Sequence, residues 1–472
     1  MAMVETSMST TENDHLIIDI ERRLTEVRNA DHQQFSIYRV PAHIQNNNKC
    51  YYEPRSVSIG PYHRNKEHLR AMEDRKWIYF VEFINQKDDI WRVGIREIRK
   101  LETDLRACYF ESVGLEGDPF VNMLLFDSCF IIQLFIKWRS KKLDAARDAG
   151  CSIPELMGDL LMLDNQIPFS VLDMMFNLYT FGRVHPPDED RRHSFITLAA
   201  NTLHFQEERA IVPKPDVKIK HLLHLFYLLF VPAPEYSPPI QLNSKKEGQE
   251  PQRNYLQLLQ KCDPRGFFKS KKLNENNRSP RVIPSAIELK EYGVMLKKKE
   301  KCKSFLDVSF KDGILEVPRF MIEECSRSTY LNLIAFEQYC GDDDVGRVDK
   351  PLSSFAVFMA CLIKMAVDVL LLERIGILEN NLANSVEGAR FFGQHREYVH
   401  IDFDNHYLRL MFVQVIDHCQ AFWPKHRAAL RHGYFSSPWT IFSLMGALLV
   451  LSITVFRTIC FILTTFFKKR FS

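Results

Sequence analysis

The sequence predicts a mainly α-helical protein, with a multi-helix globular body, a small β-hairpin and a single C-terminal transmembrane helix. Apolar residues recur at helical spacing through most of the chain. An Asp-Gly pair separates two short β-rich segments in the second half. The stretch from Trp439 to Phe456 carries no charged residue, which is typical of a membrane span. With 472 residues, 46% of them hydrophobic, the chain can bury a large core and is not globally disordered.

The N-terminal part predicts a first helix and then an extended region. Leu16, Ile20 and Leu24 recur at helical spacing in the first helix. The following stretch, Phe35 to His63, holds three prolines among many Tyr, Val and Ile residues. This composition opposes helix and favours extended segments with tight turns.

Two amphipathic helices come next. The first has apolar residues at positions i, i+3, i+4 and i+7, which are Trp77, Phe80, Val81 and Ile84. The second stripe runs from Trp91 to Leu105, with Arg and Glu on the opposite face. We expect both stripes to face the core, with Trp77 filling part of it.

Two longer apolar runs, Val121 to Ile136 and Phe355 to Leu372, predict buried core helices. The first carries Asp127 and is short for a membrane span. In the second, Lys364 and Asp368 lie one turn apart and are expected to pair on one helix face.

Turn residues predict two further connections. Pro154 to Leu163 and Pro168 to Tyr179 each begin with a proline at a plausible first helical position, and Asp164 to Gln166 join them in a tight corner. Farther on, Phe305 to Phe310 and Ile314 to Pro318 flank an Asp-Gly turn and predict the hairpin.

The C-terminal anchor is predicted from Ser437 to Phe456, about the 20 residues that cross a bilayer core. Trp439 suits one interface, whereas Arg457 interrupts the apolar run. A central Arg costs about 2.5–3.5 kcal/mol, which many Leu, Ile, Val and Phe residues at about −0.3 to −0.6 kcal/mol each outweigh. We expect the span to end near Phe456 with Arg457 at the interface. One tilted helix with Arg457 inside is the alternative, and a core helix of a soluble protein is the third interpretation.

These observations divide the chain into five segments. They are a polar N-terminal segment with the first helix (1–35), a helical N-terminal body (36–230), a Pro/Lys/Asn-rich linker (231–284), a C-terminal body with the hairpin (285–436) and the transmembrane anchor (437–467).

Composition and motifs indicate no particular chemistry. A net charge of +3 gives no strong field for nucleic acid, and eleven scattered cysteines without a C-x-x-C pair predict neither a disulfide framework nor a zinc module. No Walker loop or G-x-G-x-x-G motif is present. His221 and His224 share a helix face but lack a third ligand. The sequence therefore predicts no catalytic residues, no metal site, no cofactor and no nucleic-acid partner.

Several ordered blocks resemble the plant domain-of-unknown-function 247 family. They include Tyr52-Glu53-Pro54-Arg55, Ser58 to His63, Met72 to Trp77, Asp127 to Phe130, Asp159 to Pro168, His221 to Leu223, Ala286 to Gly293, Leu306 to Pro318, Asn332 to Gln338 and Tyr434 to Trp439. The resemblance runs from about Ile37 to the C-terminus. It implies a plant membrane protein of unknown biochemical activity with no defined catalytic residues, and some grass members are implicated in self-recognition between pollen and stigma.

The resulting hypothesis is a membrane-anchored plant protein that acts without catalysis in protein interaction, recognition or signalling. Its partners are the lipid bilayer and other proteins. The single C-terminal span lies in the plasma membrane or an endomembrane, and the body faces the cytosol. The alternative is an enzyme of unrecognised type whose site is assembled from distant polar residues such as Glu53, His63 and Asp127.

Overall fold

The computed structural model describes residues 17–24, 35–47, 49–85, 89–142, 151–182, 184, 191–203, 217–231, 279–302, 304–339, 350–421, 442 and 445–459. The chain forms two compact units, each discontinuous in sequence: Met1–Ala233 with Glu323–Gly346, and Pro234–Ile322 with Arg347–Ser472. Most of the predicted linker, 231–284, lies outside the described residues, as does Trp439.

The first unit is helical, as predicted. Residues 17–24 form a helical segment inside the predicted first helix. The described helices that follow are α1 (Ala42–Asn47), α2 (Lys49–Tyr52), α3 (Arg70–Ile84), α4 (Ile90–Lys100), α5 (Glu102–Ala107), α6 (Asp118–Arg139), α7 (Ile153–Leu160), α8 (Phe169–Phe181), α9 (Arg191–Leu203) and α10 (Leu222–Phe230), with a short 3₁₀ turn at Glu67–Leu69. A later helix, α12 (Glu324–Tyr339), also belongs to this unit.

The core of the first unit is built around α6. This helix packs against α3, α4, α8 and α9. It is long and apolar enough to cross a membrane, but 78% of its most apolar stretch is buried inside the protein. The prediction of a core helix over Val121 to Ile136 is confirmed by this burial.

The predicted core face of α3 is wrong at Trp77 and Val81 and right at Phe80. The buried side chains of α3 are Met72, Lys76, Tyr79, Phe80 and Phe83, whereas Trp77 and Val81 are exposed. The inward face of α3 consists of Met72 and the residues four, seven and eleven positions later, and the first of these three is Lys76. The reason is electrostatic, because Lys76 reaches a buried carboxylate on α6.

The region between Phe35 and His63 is only partly extended. Residues 53–63 contain no helix, as predicted. Residues 42–47 and 49–52 are instead helical, and the amide of Ile44 donates to the carbonyl of Pro41, 3.0 Å away. Proline blocks helix only at positions that need its missing N–H, and Pro41 lies just before α1, where no N–H is needed.

The corner between α7 and α8 follows the sequence closely. Ser152 and Glu155 form a capping box at the start of α7, with Pro154 in its first turn. Pro168 is the N-cap of α8 rather than its first helical residue. Gly182 ends α8 in the left-handed conformation.

The second unit combines helices with two small sheets. Its described elements are α11 (Ala286–Glu291), β1 (Met295–Lys299), β2 (Ser309–Lys311), β3 (Ile314–Pro318), β4 (Phe320–Glu323), α13 (Pro351–Leu362), α14 (Ala366–Ile375), β5 (Leu378–Asn381), α15 (Ser385–Tyr398), α16 (Arg409–Gln420) and α17 (Met445–Ile459). α15 packs on both α13 and α14.

The predicted hairpin is confirmed, although its first strand spans Ser309–Lys311 rather than Phe305 to Phe310. β2 and β3 pair antiparallel, with Lys311 opposite Ile314. Asp312 and Gly313 both have positive φ, 51° and 78°, which is the conformation of a type I′ turn. The sheet also contains β1, which pairs parallel with β3 in the order β1-β3-β2. This third strand, which ends with Lys297 to Lys299, was not predicted.

The apolar run from Phe355 to Leu372 is two helices rather than one. α13 is wholly buried, as predicted, and α14 leaves it at an angle of 108°. The predicted ion pair between Lys364 and Asp368 is wrong. Asp368 instead accepts the backbone N–H groups of Lys364 and Met365, at 3.1 and 3.0 Å, and thereby caps α14. The Lys364 ammonium pairs with Glu288, 2.8 Å away.

Candidate functional site

The candidate anchor residues lie on a helix that is exposed along its whole described length. Every residue of α17 is exposed, and Phe456 is 69% exposed. The helix continues through Arg457 to Ile459 without a break. At 1.5 Å per residue α17 is about 22 Å long, which is shorter than a bilayer core of about 30 Å.

The polar side chains of α17 are satisfied within the helix. The hydroxyls of Ser452, Thr454 and Thr458 each donate to the carbonyl oxygen four residues earlier, all at 2.8 Å. Such back-bonding leaves no hydroxyl in need of water. Arg457 is therefore the only side chain of α17 that requires a polar environment.

In the first unit, buried polar side chains hold the backbone of residues 55–60. The Asp159 carboxylate accepts the N–H groups of Arg55, Ser56 and Val57, at 3.0, 2.6 and 2.9 Å. Asn165 accepts the N–H of Ile59 at 2.7 Å. Burial raises the pKa of Asp159 to about 6, and the three N–H donors oppose that rise. Asp159 is therefore mainly ionised at neutral pH, when these hydrogen bonds are strongest.

Lys76 and Asp127 continue this network. The Lys76 ammonium lies 2.5 Å from the Ser58 carbonyl oxygen, 2.5 Å from the Glu73 carboxylate and 2.6 Å from Asp127. The other Asp127 oxygen accepts the N–H of Gly60 at 2.8 Å. All three ammonium protons have acceptors, so the hydrogen-bonding capacity of this buried lysine is satisfied by structural contacts.

Gly60 is the point of closest backbone approach in this region. Its φ is +75°, and a Cβ atom there would lie 2.3 Å from the Gln166 carbonyl oxygen. The Gln166 amide donates to the carbonyls of Leu160 and Met162, at 2.8 and 2.7 Å. These bonds hold the loop before α8 to the C-terminal end of α7.

α12 is tied to the same unit by polar contacts. Asn332 accepts the N–H of Leu163 at 2.9 Å and donates to the Tyr51 carbonyl at 3.0 Å. Tyr227 donates to Glu337 at 2.7 Å. These bonds join segments far apart in sequence, which sequence reasoning did not anticipate.

The three residues of the enzyme alternative have different contacts. Glu53 pairs with Lys66 at 2.5 Å and with Lys49 at 3.4 Å. His63 Nε2 lies 2.9 Å from Asp164, and both residues are buried. Asp127 is occupied by Lys76 and Gly60. Each of the three therefore has its own partner, and no hydrogen bond or ion pair among the described residues links one of them to another.

His221 and His224 have structural roles. His221 is the N-cap of α10, and its Nδ1 accepts the N–H of His224 at 3.2 Å. His224 Nδ1 accepts the N–H of Lys220 at 3.2 Å. Because each Nδ1 accepts a backbone N–H, the neutral rings carry their proton on Nε2. Over the part of the chain that the structure describes, no cluster of three or more His, Cys, Asp or Glu residues is arranged to hold an ion.

The described cysteines are all free, so they form no disulfide framework among themselves. Cys129, Cys361 and Cys419 are buried. Burial raises the pKa of the Cys129 thiol well above its usual value, so this thiol is unreactive.

An open cleft of about 430 Å³ with charged walls lies in the second unit and is lined by Lys298, Arg319, Glu373, Gly376, Leu378, Glu379 and Asn380. Its charges largely neutralise one another. Arg319 pairs with Glu379, and Lys298 lies 3.3 Å from Glu300. Most of the charged side chains that line the cleft therefore have partners, and the ion pairs among the described residues do not include Glu373.

The match to a known protein family covers most of the chain, including the residues of the buried polar network. The model of the DUF247 family, described as a plant protein of unknown function, matches residues 37–453. The chain belongs to the DUF247 family. Asp127, Asp159 and Asn165 lie in the blocks that carry the family resemblance, so these blocks include the residues that fix the backbone around Gly60.

Two curated relatives come from Arabidopsis thaliana. The chain is 27% identical to the UPF0481 protein At3g47200 over 460 residues, which are 94% of this DUF247 chain and 90% of the relative. It is 28% identical to the putative UPF0481 protein At3g02645 over 160 residues, which are 33% of this chain and 30% of that protein. No solved structure matches significantly.

Proposed function

We propose that this DUF247 protein is a membrane-anchored component of plant cells that binds other proteins and catalyses no reaction. The C-terminal helix holds it in the plasma membrane or an endomembrane, and its body faces the cytosol. The observation that carries this proposal is the exposure of α17, because an apolar helix with no protein surface around it needs another apolar environment.

The apolar side chains of α17 favour lipid strongly. Those more than about half exposed at or near this helix include Phe442, Met445, Leu448, Leu449, Val450, Leu451, Val455 and Phe456. Moving one such side chain out of water is worth about 1.5–3 kcal/mol, so the set amounts to roughly 10–20 kcal/mol. The internally bonded hydroxyls add no large opposing cost.

The position of Arg457 supports a span that ends near Phe456. Arg457 lies in the last described turn of the helix, and its side chain is long enough to reach a polar interface. Phe456 then lies at the end of the apolar segment, and the residues from Ser437 to α17, with Trp439 at the opposite interface, complete a span of about 20 residues.

The non-catalytic part of the proposal is supported by the buried polar residues. Lys76, Asp127 and Asp159 satisfy backbone groups and one another, so they are not available to a substrate. A body built in this way is a rigid scaffold, which suits the presentation of a binding surface.

Membrane integration can be tested by alkaline carbonate extraction of membranes from plant cells that express the full chain. We expect the protein to stay in the membrane pellet, and a variant with Leu448, Leu449 and Leu451 changed to Asn to move to the supernatant. The matched control changes Met365, the N-cap of α14, and Leu370, within α14, to Asn, because these residues are exposed to a similar degree. Extraction of the unmodified chain, or equal behaviour of both variants, would refute the anchor.

The orientation is tested separately by protease treatment of sealed microsomes. A cytosolic body is digested from outside, and protection of the body contradicts the proposed orientation. The sequon Asn277-Arg278-Ser279 gives an independent readout, because a glycan found on Asn277 requires a luminal body.

A further inference from the structure

The outward face of α3 carries a contiguous apolar surface. Trp77, Ile78 and Val81 are 57%, 59% and 48% exposed. They lie at i, i+1 and i+4 on one helix face and are called the Trp77 patch below. A single exposed apolar residue is ordinary, whereas a contiguous group marks a surface that interacts.

The Trp77 patch rests on a rigid aromatic base. The rings of Trp77 and Phe126 have centroids 4.3 Å apart, and those of Phe126 and Phe80 are 4.8 Å apart. The ring centroids of Phe80 and Trp91, on α4, are 6.5 Å apart. Because these rings fix one another, little side-chain entropy remains to be lost when a partner binds.

The rim of the patch is positively charged on the side of α4. The Arg92 guanidinium lies over the Trp91 ring, 5.1 Å from its centroid. The Arg96 Nε donates to the Arg92 carbonyl at 3.4 Å, which keeps the two arginines close together. Arg92 has Asp89 as a partner at 3.5 Å, whereas no described carboxylate lies within ion-pair distance of Arg96.

We propose that the Trp77 patch is a docking surface for an amphipathic helix of a partner protein, with an aliphatic face flanked by carboxylates. This inference rests on the protein-binding part of the proposed function and is independent of the anchor. The aliphatic face covers Trp77, Ile78 and Val81, and the carboxylates meet Arg96 and Arg92. A helix fits because the patch lies on the outward face of a helix, α3, rather than on a strand edge.

Two other occupants match the rim less well. An anionic bilayer gains about 1 kcal/mol per uncompensated cation, and the other α4 cations have acidic partners: Arg99 pairs with Asp118, and Lys100 lies 2.8 Å from Glu97. A second copy of the chain would bring Arg92 and Arg96 against a rim of the same sign. An aromatic centre with neighbouring arginines is typical of a protein interface.

The test uses the full chain in phosphatidylcholine nanodiscs and two fluorescein-labelled 18-residue helical peptides. Both peptides have a leucine face; one is flanked by Glu and the other by Lys. Fluorescence anisotropy measures their affinities. The patch variant is Trp77→Ser with Ile78→Ser, and the matched control is Met365→Ser with Leu370→Ser, whose exposures are 59% and 53%. Because all four positions are exposed, we expect both variants to fold, and circular dichroism checks this.

We expect the Glu peptide to bind more tightly than the Lys peptide, and the patch variant to weaken its binding at least tenfold, about the effect of a hot-spot residue. The control variant should bind as the unmodified chain does. Arg96→Glu should reverse the preference between the two peptides. Equal binding of the peptides, no binding, or equal loss in both variants would overturn the proposal.

Two further readouts separate the competing occupants. If phosphatidylserine nanodiscs block the patch from the Glu peptide, the surface binds lipid and the proposal is wrong. If sedimentation shows a dimer that the patch variant abolishes, the occupant is a second copy and the proposal is again wrong. Carbonate extraction of the same variants tests the membrane anchor separately. If peptide binding fails while the protein stays in the membrane pellet, only the docking surface is refuted.

Discussion

The buried pair of Lys76 and Asp127 offers the sharpest test of how the first unit is held together. Lys76→Met removes the ammonium that contacts Ser58, Glu73 and Asp127, and leaves the fully buried Asp127 carboxylate with the Gly60 N–H. Breaking a buried ion pair by removing one partner costs about 3–5 kcal/mol. We therefore expect the free energy of unfolding to fall by that amount.

The companion variant Asp127→Asn keeps an oxygen for the Gly60 N–H but removes the charge. We expect it to cost about 1.5–3 kcal/mol, because Lys76 retains Glu73 and the Ser58 carbonyl. The double variant has no unpaired charge at Asp127. Its cost should therefore be smaller than the sum of the single costs by about 2 kcal/mol.

Urea denaturation of the full chain in non-ionic detergent, followed by tryptophan fluorescence and circular dichroism, measures these differences. Lys100→Met is the control, since Lys100 is an exposed α4 lysine with one carboxylate partner and should cost less than about 1 kcal/mol. Costs that add in the double variant, or a Lys76→Met cost no larger than that of Lys100→Met, would show that the pair does not hold the network.

Three further predictions follow from the same contacts. Gly60→Ala should destabilise the protein by about 2–4 kcal/mol in urea denaturation, because the positive φ and the approach of the Gln166 carbonyl oxygen both oppose a Cβ atom. Gly114→Ala is the control, because a Cβ there meets nothing within 4 Å, and an equally small cost for both variants would contradict the prediction. Burial lowers the pKa of His224 to about 3, so below pH 6.5 this histidine binds a proton in the unfolded state but not in the folded state. Its contribution to stability is complete above pH 6.5, and the free energy of unfolding should fall by about 1.4 kcal/mol per pH unit as the pH drops toward 3. In denaturation measured between pH 7 and 4.5, His224→Asn should show a shallower slope than the unmodified chain. Asp368→Ala leaves the amides of Ile287, Lys364 and Met365 without their acceptor and should lower the unfolding free energy by about 1–3 kcal/mol, whereas Asp368→Asn should cost less; equal costs would argue against the capping role.

Local signals in the sequence were sufficient where the structure depends on neighbouring residues. The Asp312-Gly313 turn specifies the hairpin, because both residues adopt a positive φ that few other pairs accept. Residues 121–136 are apolar at most positions, which favours burial of that helix in spite of Asp127. Both predictions are confirmed without reference to distant parts of the chain.

The orientation of α3 could not be predicted in the same way. Periodicity places Trp77 inside and Lys76 outside, and the structure does the opposite. The reason lies 51 residues away, where Asp127 on α6 needs a cation in the core. Hydropathy patterns contain no information on such a pair, and the error conceals the Trp77 patch.

The buried network was missed for a related reason. Asp159 binds amides about a hundred residues earlier in the chain, and Asn332 binds the carbonyl of Tyr51 from α12. The only sequence signal was the presence of polar residues inside apolar blocks, which equally suggested a catalytic site. The geometry distinguishes the two, because these side chains point at backbone groups rather than into a cavity.

The central claim, that α17 lies in lipid, is tested most directly by photolabelling the reconstituted full chain with a lipid-soluble carbene reagent and identifying the labelled residues. We predict label on all faces of the helix from Met445 to Phe456 and a sharp decrease at Arg457. Label that recurs every three to four residues would place one face of α17 against protein. Absence of label from this segment would contradict the membrane anchor outright.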